Sequence, residues 1–160
     1  MASTIKLFTI GFTKKNAQQF FSLLQQGGVQ KVLDTRLNNV SQLAGFTKRD
    51  DLSFFLKEVA GIGYEHAEQL APTDLMLKRY KKGEISWDSY AADYQALIQK
   101  RQVENQFRAE QLDGVCFLCS EATPHHCHRR LAAEFFQQQL GCGVDTVSYT
   151  HLTLPTKRIV

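Results

Sequence analysis

Between positions 119 and 130 the chain carries Cys119, Glu121, His125, His126, Cys127, His128, Arg129 and Arg130. Few other stretches concentrate so many groups able to attack, ligate or bind charge. Residues 115–119 read as a short buried strand, and residues 127–140 as a helix. A strand-to-helix turn is where α/β proteins build anion sites and active sites. Cys127 is expected in the first turn of that helix. Free backbone N–H groups and the helix dipole favour a thiolate there, and Arg129 and Arg130 lower a thiol's pKa further. A thiolate in that place could act as a nucleophile. The same N–H groups and arginines could equally bind a phosphate or a carboxylate. Neighbouring helix positions point about 100° apart, so one of the two arginines is expected in solvent.

The same residues offer ligand types for zinc or iron. Adjacent ligands such as Cys127 and His128 rarely reach one ion, and the spacing fits no standard zinc knuckle, so no metal ligands are assigned. The plainer readings are a solvated loop for His125 and His126 and a helix-cap hydrogen bond for His128. Cys116-x-x-Cys119 has redox spacing. However, side chains three apart on a strand point to opposite faces, so Cys116 reads as a buried apolar residue.

These groups need a scaffold. Residues 5–10 form a β-rich run ended by Gly11, and residues 29–33 form a second, ending in Asp34-Thr35-Arg36. Asn16 with Gln19 reads as a capping box ahead of an apolar helix face carrying Phe20, Phe21, Leu23 and Leu24. Thr47 is placed to cap a helix with Leu52, Phe55, Leu56 and Val59 on one face. Residues 62–66 suggest a short strand in which Tyr64, His66 and Glu68 alternate and could close over the site. Pro72-Thr73-Asp74 opens a helix closed by Gly83. Ser86 caps a long one with Trp87, Tyr90, Tyr94, Leu97, Ile98 and Arg101 at helical spacing, expected to reach about residue 110. Val144 begins a last strand.

Strands alternating with helices predict a single α/β domain with a mostly parallel, Rossmann-like sheet flanked by helices. A helical insertion or lid is expected around 67–112. In such sheets ligands bind beyond the carboxyl ends of the strands. Gly11 and Thr13, Asp34 and Arg36, and Cys119 and Glu121 would all emerge there. Asp34 and Arg36 would serve as well as a structural ion pair.

The chain has 160 residues, 43% of them hydrophobic and 22% charged, which suits one soluble domain with its own core. A net charge of +3 allows an anionic ligand but is too small to argue for nucleic acid by itself. No apolar run approaches the roughly 18 residues of a membrane helix, and the start lacks a signal-peptide layout. A cytoplasmic bacterial protein with its four cysteines as thiols is the expectation. Residues 147–156 resemble the in-frame translation of a transposon-end sequencing adapter. Residues 1–146 are therefore read as the domain and 147–160 as a non-native tail, so His151 is left out of the site.

Several of these motifs together resemble the DUF488 family, which is named for its unknown function. They are Thr9-Ile10-Gly11, Leu33-Asp34-Thr35-Arg36 with Ser41, and Gly63-Tyr64 before Leu70-Ala71-Pro72. The most specific is Leu118-Cys119-Ser120-Glu121 with Cys127-His128-Arg129-Arg130. The likeness spans residues 5 to about 140. Where members often have His-Ser after the first glycine, this chain has Phe12-Thr13. Where many have a proline after Asp-x-Arg, it has Asn38-Asn39. The resemblance implies a single α/β domain with a polar cluster and supplies no reaction.

The sequence thus predicts an anion-binding polar and thiol site at the strand carboxyl ends. Arg36, Arg129, Thr13, Gly11 and Cys119 would hold the ligand. Cys127 would be nucleophile, with Asp34 or Glu121 as base or orienter and His128 beside them. A non-catalytic nucleotide or nucleic-acid binder and a zinc- or iron-dependent enzyme are the rival readings. Neither the cofactor nor the oligomeric state is legible.

Overall fold

In a computed structural model, residues 5–11, 16–37, 48–119, 128–140, 144–149 and 157–159 are described. The first run of β-formers is β1 (Ile5–Gly11). Asn16 then starts α1 (Ala17–Gly27). Its Oδ1 accepts from the Gln19 backbone N–H at 2.8 Å, while Gln19 Oε1 accepts from the Asn16 N–H at 2.9 Å. Gly28 ends the helix in the left-handed region. The chain continues through β2 (Lys31–Asp34), α2 (Arg49–Phe55) and β3 (Gly63–His66). It then forms α3 (Asp74–Lys81), α4 (Trp87–Lys100), α5 (Ala109–Leu112), β4 (Val115–Cys119) and α6 (His128–Gln139). Thr73 and Ser86 cap α3 and α4 through their hydroxyls, as their positions before apolar runs suggest.

The sheet order is β3-β2-β4-β1-β5-β6, with β5 at Val144–Tyr149 and β6 at Lys157–Ile159. The first five strands in that order are parallel; β6 joins β5 antiparallel. The expected α/β domain with a parallel sheet is therefore present. The antiparallel edge strand was not expected, since it falls in the stretch read as a tail. Its pairing runs through backbone groups that any sequence supplies.

The apolar residues divide by parity. Phe8, Ile10, Val32, Cys116 and Leu118 face α1 and α2 with Phe20, Leu24, Leu52 and Leu56. Ile5, Leu7, Leu33, Val115 and Phe117 face the other layer, with Tyr94 and Ile98 of α4 and Phe136 of α6. The leftward crossovers, β1 to β2 and β2 to β3, use the first face. The rightward ones, β3 to β4 and β4 to β5, use the second. This is what right-handed crossovers require. The helical stretch at 67–112 is thus the β3-to-β4 crossover, and it packs Leu70, Tyr90, Tyr94, Ile98, Val103 and Leu112 into the core on the second face.

Two local expectations change. α4 stops at Lys100, because Gln102 adopts a left-handed φ of 55°, and only short helical turns follow before β4. Val59 is 64% exposed although its spacing put it on the apolar face of α2. The chain widens into a π-helical turn at Leu56–Ala60, which rotates Val59 away from Leu52 and Leu56. Thr47, the expected cap, lies outside the described residues.

Gly114, just before β4, bonds to β1 on one side and to Gln30, just before β2, on the other. Its N–H donates to the Lys6 carbonyl and its own carbonyl accepts from Gln30, both at 2.8 Å. Its φ is 82°, and a Cβ there would stand 2.7 Å from Gln30 Cγ. Gly114→Ala is expected to lose about 1–2 kcal/mol from the backbone conformation alone, read by urea unfolding. An unchanged midpoint would mean that the turn relaxes at no cost.

Candidate functional site

β1 and β4 are neighbours, with Gly11 level with Cys119. The connection after β1 leaves toward β2, while the one after β4 leaves toward β5 on the other side. The point where such connections diverge opens the crevice in which α/β sheets bind ligands. The segments that follow these strand ends carry Thr13, Glu121 and Cys127, which lie outside the described residues. Cys119 is placed at the end of β4 by its backbone. What can be described in full is the side of this rim formed by β2, β3 and the start of α6.

Asp34 closes β2 with a fully buried side chain. Its Oδ1 accepts the Arg36 backbone N–H at 3.1 Å, a turn in which an aspartate holds the amide two residues on. The same carboxylate takes the guanidinium in a fork: Nε donates to Oδ1 and Nη2 to Oδ2, both at 2.8 Å. Tyr64 completes the set by donating its hydroxyl to Oδ2 at 2.6 Å. Tyr64 lies on β3 level with Val32, and His66 level with Asp34. His66 Nε2 donates to the Arg36 carbonyl at 2.8 Å. Arg36 is therefore held at both its main chain and its side chain, and is only 5% exposed.

Thr35 faces the other way. Its N–H and hydroxyl both donate to the Leu118 carbonyl of β4, at 3.0 and 2.8 Å. Its own carbonyl lies 2.8 Å from His128 Nε2, and its hydroxyl 3.0 Å from that nitrogen. A carbonyl oxygen only accepts, so Nε2 carries a proton. Burial drives the His128 pKa down from 6.5 to about 4, with Arg129 pushing the same way. The bond to Thr35 and the Asp34 charge oppose the shift only in part. The imidazole is neutral at pH 7 and ties the first turn of α6 to the end of β2. Tyr94 packs its ring 5.6 Å from it and donates its hydroxyl to the Leu70 carbonyl at 2.7 Å. Burial pushes the Tyr94 phenol well above its ordinary value.

Arg129 follows in the same turn and is fully buried. Arg130 is part-exposed and pairs with Glu134 at 3.0 Å, the division expected of adjacent helix positions. The described rim thus carries the Asp34–Arg36 pair at the end of β2 and the buried guanidinium of Arg129 at the start of α6, with His128 neutral. Such a cluster favours an anion, whether a side chain or a ligand.

The structure therefore brings Asp34, Arg36, His128 and Arg129 to one rim, beside the strand end at Gly11. Asp34 is committed as an orienter, because its oxygens already hold Arg36 and Tyr64. His128 is an anchor through Nε2. Tyr64 and His66, expected from their alternation on a strand to close over the site, instead hold Asp34 and the Arg36 carbonyl. The signal for their role is that alternation, which puts both on one side of β3, adjacent to β2. Cys116 is fully buried among apolar side chains, as expected. Among the described residues no three His, Cys, Asp or Glu side chains gather into a metal site. The cysteines and histidines of 119–127 are not part of that statement.

Two cavities lie elsewhere. One of about 340 Å³ is lined by Lys31, Leu33, Glu65, Gln106, Phe107 and Gln111. The other, about 350 Å³ and mostly apolar, sits against Phe21 of α1 and Phe55 and Val59 beyond it. Neither includes Asp34, Arg36, His128 or Arg129. Among the described residues no helix is long and apolar enough to cross a membrane.

The family model described as "Domain of unknown function DUF488" matches residues 16–136. No curated protein and no solved structure matches the chain.

Proposed function

The chain belongs to the DUF488 family, and we propose that its strand carboxyl-end rim binds a small anionic ligand, with Cys127 positioned to act on it. The observation that carries this reading is the Asp34–Arg36 fork at the end of β2, tied through Thr35 and His128 to the start of α6, where Arg129 is buried. In this reading Arg129 and Arg36 supply the positive field, and the N–H groups at the start of α6 complete the anion cradle. Asp34 orients Arg36. In the same reading Gly11 and Thr13 would contribute from the β1 end, and Cys119 and Glu121 from the β4 end. Cys127, one residue before α6 in the sequence, is the thiol this reading assigns as nucleophile, with Glu121 taking its proton. Cytoplasmic location suits a working thiol and belongs to the same proposal.

Thermal unfolding with and without inorganic phosphate tests the binding claim. The wild type should be stabilised in proportion to ligand occupancy, and Arg129→Lys, which keeps the charge but loses the fork, should not. Equal responses in both proteins would remove Arg129 from the site.

Cys127→Ser separates the rival readings. A non-catalytic binder of nucleotides or nucleic acid tolerates the change, and strong salt dependence of binding would favour nucleic acid. A metal enzyme predicts near-stoichiometric zinc or iron in purified wild type that disappears in Cys127→Ser.

A further inference from the structure

Arg101 shares the face of α4 with Tyr90, Tyr94 and Ile98, yet it is a charged residue at the end of a core helix. Its Nη1 reaches across to the turn that follows β3. There it lies 2.7 Å from the Ala71 carbonyl, 3.0 Å from that of Gln69 and 3.4 Å from that of Glu68. One nitrogen carries two protons, so the two shorter contacts are the hydrogen bonds and the third is electrostatic. These carbonyls belong to the short helical turn Glu68–Leu70 and its cap, and that of Glu68 also accepts from the Ala71 N–H at 3.0 Å. Tyr94 adds a bond to the fourth carbonyl of the same turn, that of Leu70, at 2.7 Å. Two side chains of α4, 24 to 33 residues away in sequence, thus hold four consecutive carbonyls.

The turn begins two residues after His66. The Ala67 N–H donates to the Asp34 carbonyl at 2.9 Å, and Glu68 stands 3.7 Å from His66 Nδ1. The place where the chain turns after β3 therefore sets where His66 meets the Arg36 carbonyl.

We propose that Arg101 is a positioning residue of the rim: by clamping the Glu68–Ala71 carbonyls it holds His66 on Arg36, and through Arg36 it shapes the anion site. The functional meaning rests on the reading of the rim as a ligand site; the clamp itself does not. The helical crossover then has a second task beside filling the core, which is to lock the β3 side of the site from behind.

The test uses the full chain without ligand. The His66 Nε2 proton is followed by NMR in wild type, Arg101→Gln and Tyr94→Phe, with the His128 Nε2 proton as internal reference. Arg101→Gln is expected to speed water exchange of the His66 proton by about tenfold, the size of one lost hydrogen bond. The His128 proton should keep its rate. Tyr94→Phe should act on His66 in the same direction and less. Should Arg101→Gln not fold, Arg101→Lys gives the same reading, with a smaller effect because it keeps one donor. Unchanged His66 exchange in a folded Arg101 variant, or equal acceleration at His66 and His128, would overturn the proposal and leave Arg101 a general stabiliser. A failure to bind phosphate would instead count against the anion reading, and the His66 result would stand.

Discussion

Asp34→Ala is expected to remove about 3–5 kcal/mol of stability, because it leaves the Arg36 guanidinium buried without its carboxylate. The pair is bidentate, Asp34 is fully buried and Arg36 nearly so. Tyr64 would lose the acceptor of its 2.6 Å bond as well. Breaking a buried pair from one side exposes the full desolvation cost of the partner, whereas removing both charges does not. Asp34→Leu combined with Arg36→Met should therefore recover much of what either single change loses. Urea unfolding at pH 7 measures all three. A loss below about 1 kcal/mol for Asp34→Ala would mean that the pair behaves like an exposed one. The comparison also bears on function. If the double variant is stable and no longer responds to phosphate, the charges are there for the ligand rather than for the fold.

Acid should weaken the protein through His128 as the pH falls below about 6.5. The folded protein holds this imidazole neutral down to about pH 4, while the unfolded chain protonates it near 6.5. Between those values the unfolded state binds the extra proton. Stability is therefore complete above the unfolded value and falls as pH drops toward the folded one. The shift corresponds to about 3 kcal/mol, lost over that window and constant below it. His128→Gln keeps an N–H to reach the Thr35 carbonyl but cannot titrate. The wild type's stability advantage over this variant should shrink steadily from about pH 6.5 to about pH 4. Parallel curves would show that His128 titrates alike in both states, and that the anchor between α6 and Thr35 is not buried in solution.

The elements were legible where one residue type decides them. Asn16, Thr73 and Ser86 announce helices because their side chains satisfy the first backbone donors. The alternation of strands and helices gave away the parallel sheet and the edge at which Asp34 and Arg36 appear. What stayed hidden depends on partners far along the chain. Nothing near Asp34 announces Tyr64, 30 residues on, and nothing near His128 announces Thr35, 93 residues back. Those contacts exist because register sets Asp34 level with Leu118 and His66, a choice made by the whole sheet. The π-helical turn at Leu56–Ala60 and the left-handed Gln102 were illegible for another reason: neither has a glycine or proline to mark it. Arg101 was visible only as a polar interruption of an aromatic stripe, since the carbonyls it caps lie across the fold.

The claim that matters most is that the rim binds an anion. A titration with inorganic phosphate, read by NMR at the Thr35 and Arg36 amides and the Arg129 side-chain Nε, tests it most directly. The account predicts saturable shifts at these groups, weakened by Arg129→Lys. Shifts confined to exposed lysines such as Lys78, Lys81 and Lys82, or none at the rim at millimolar phosphate, would contradict it.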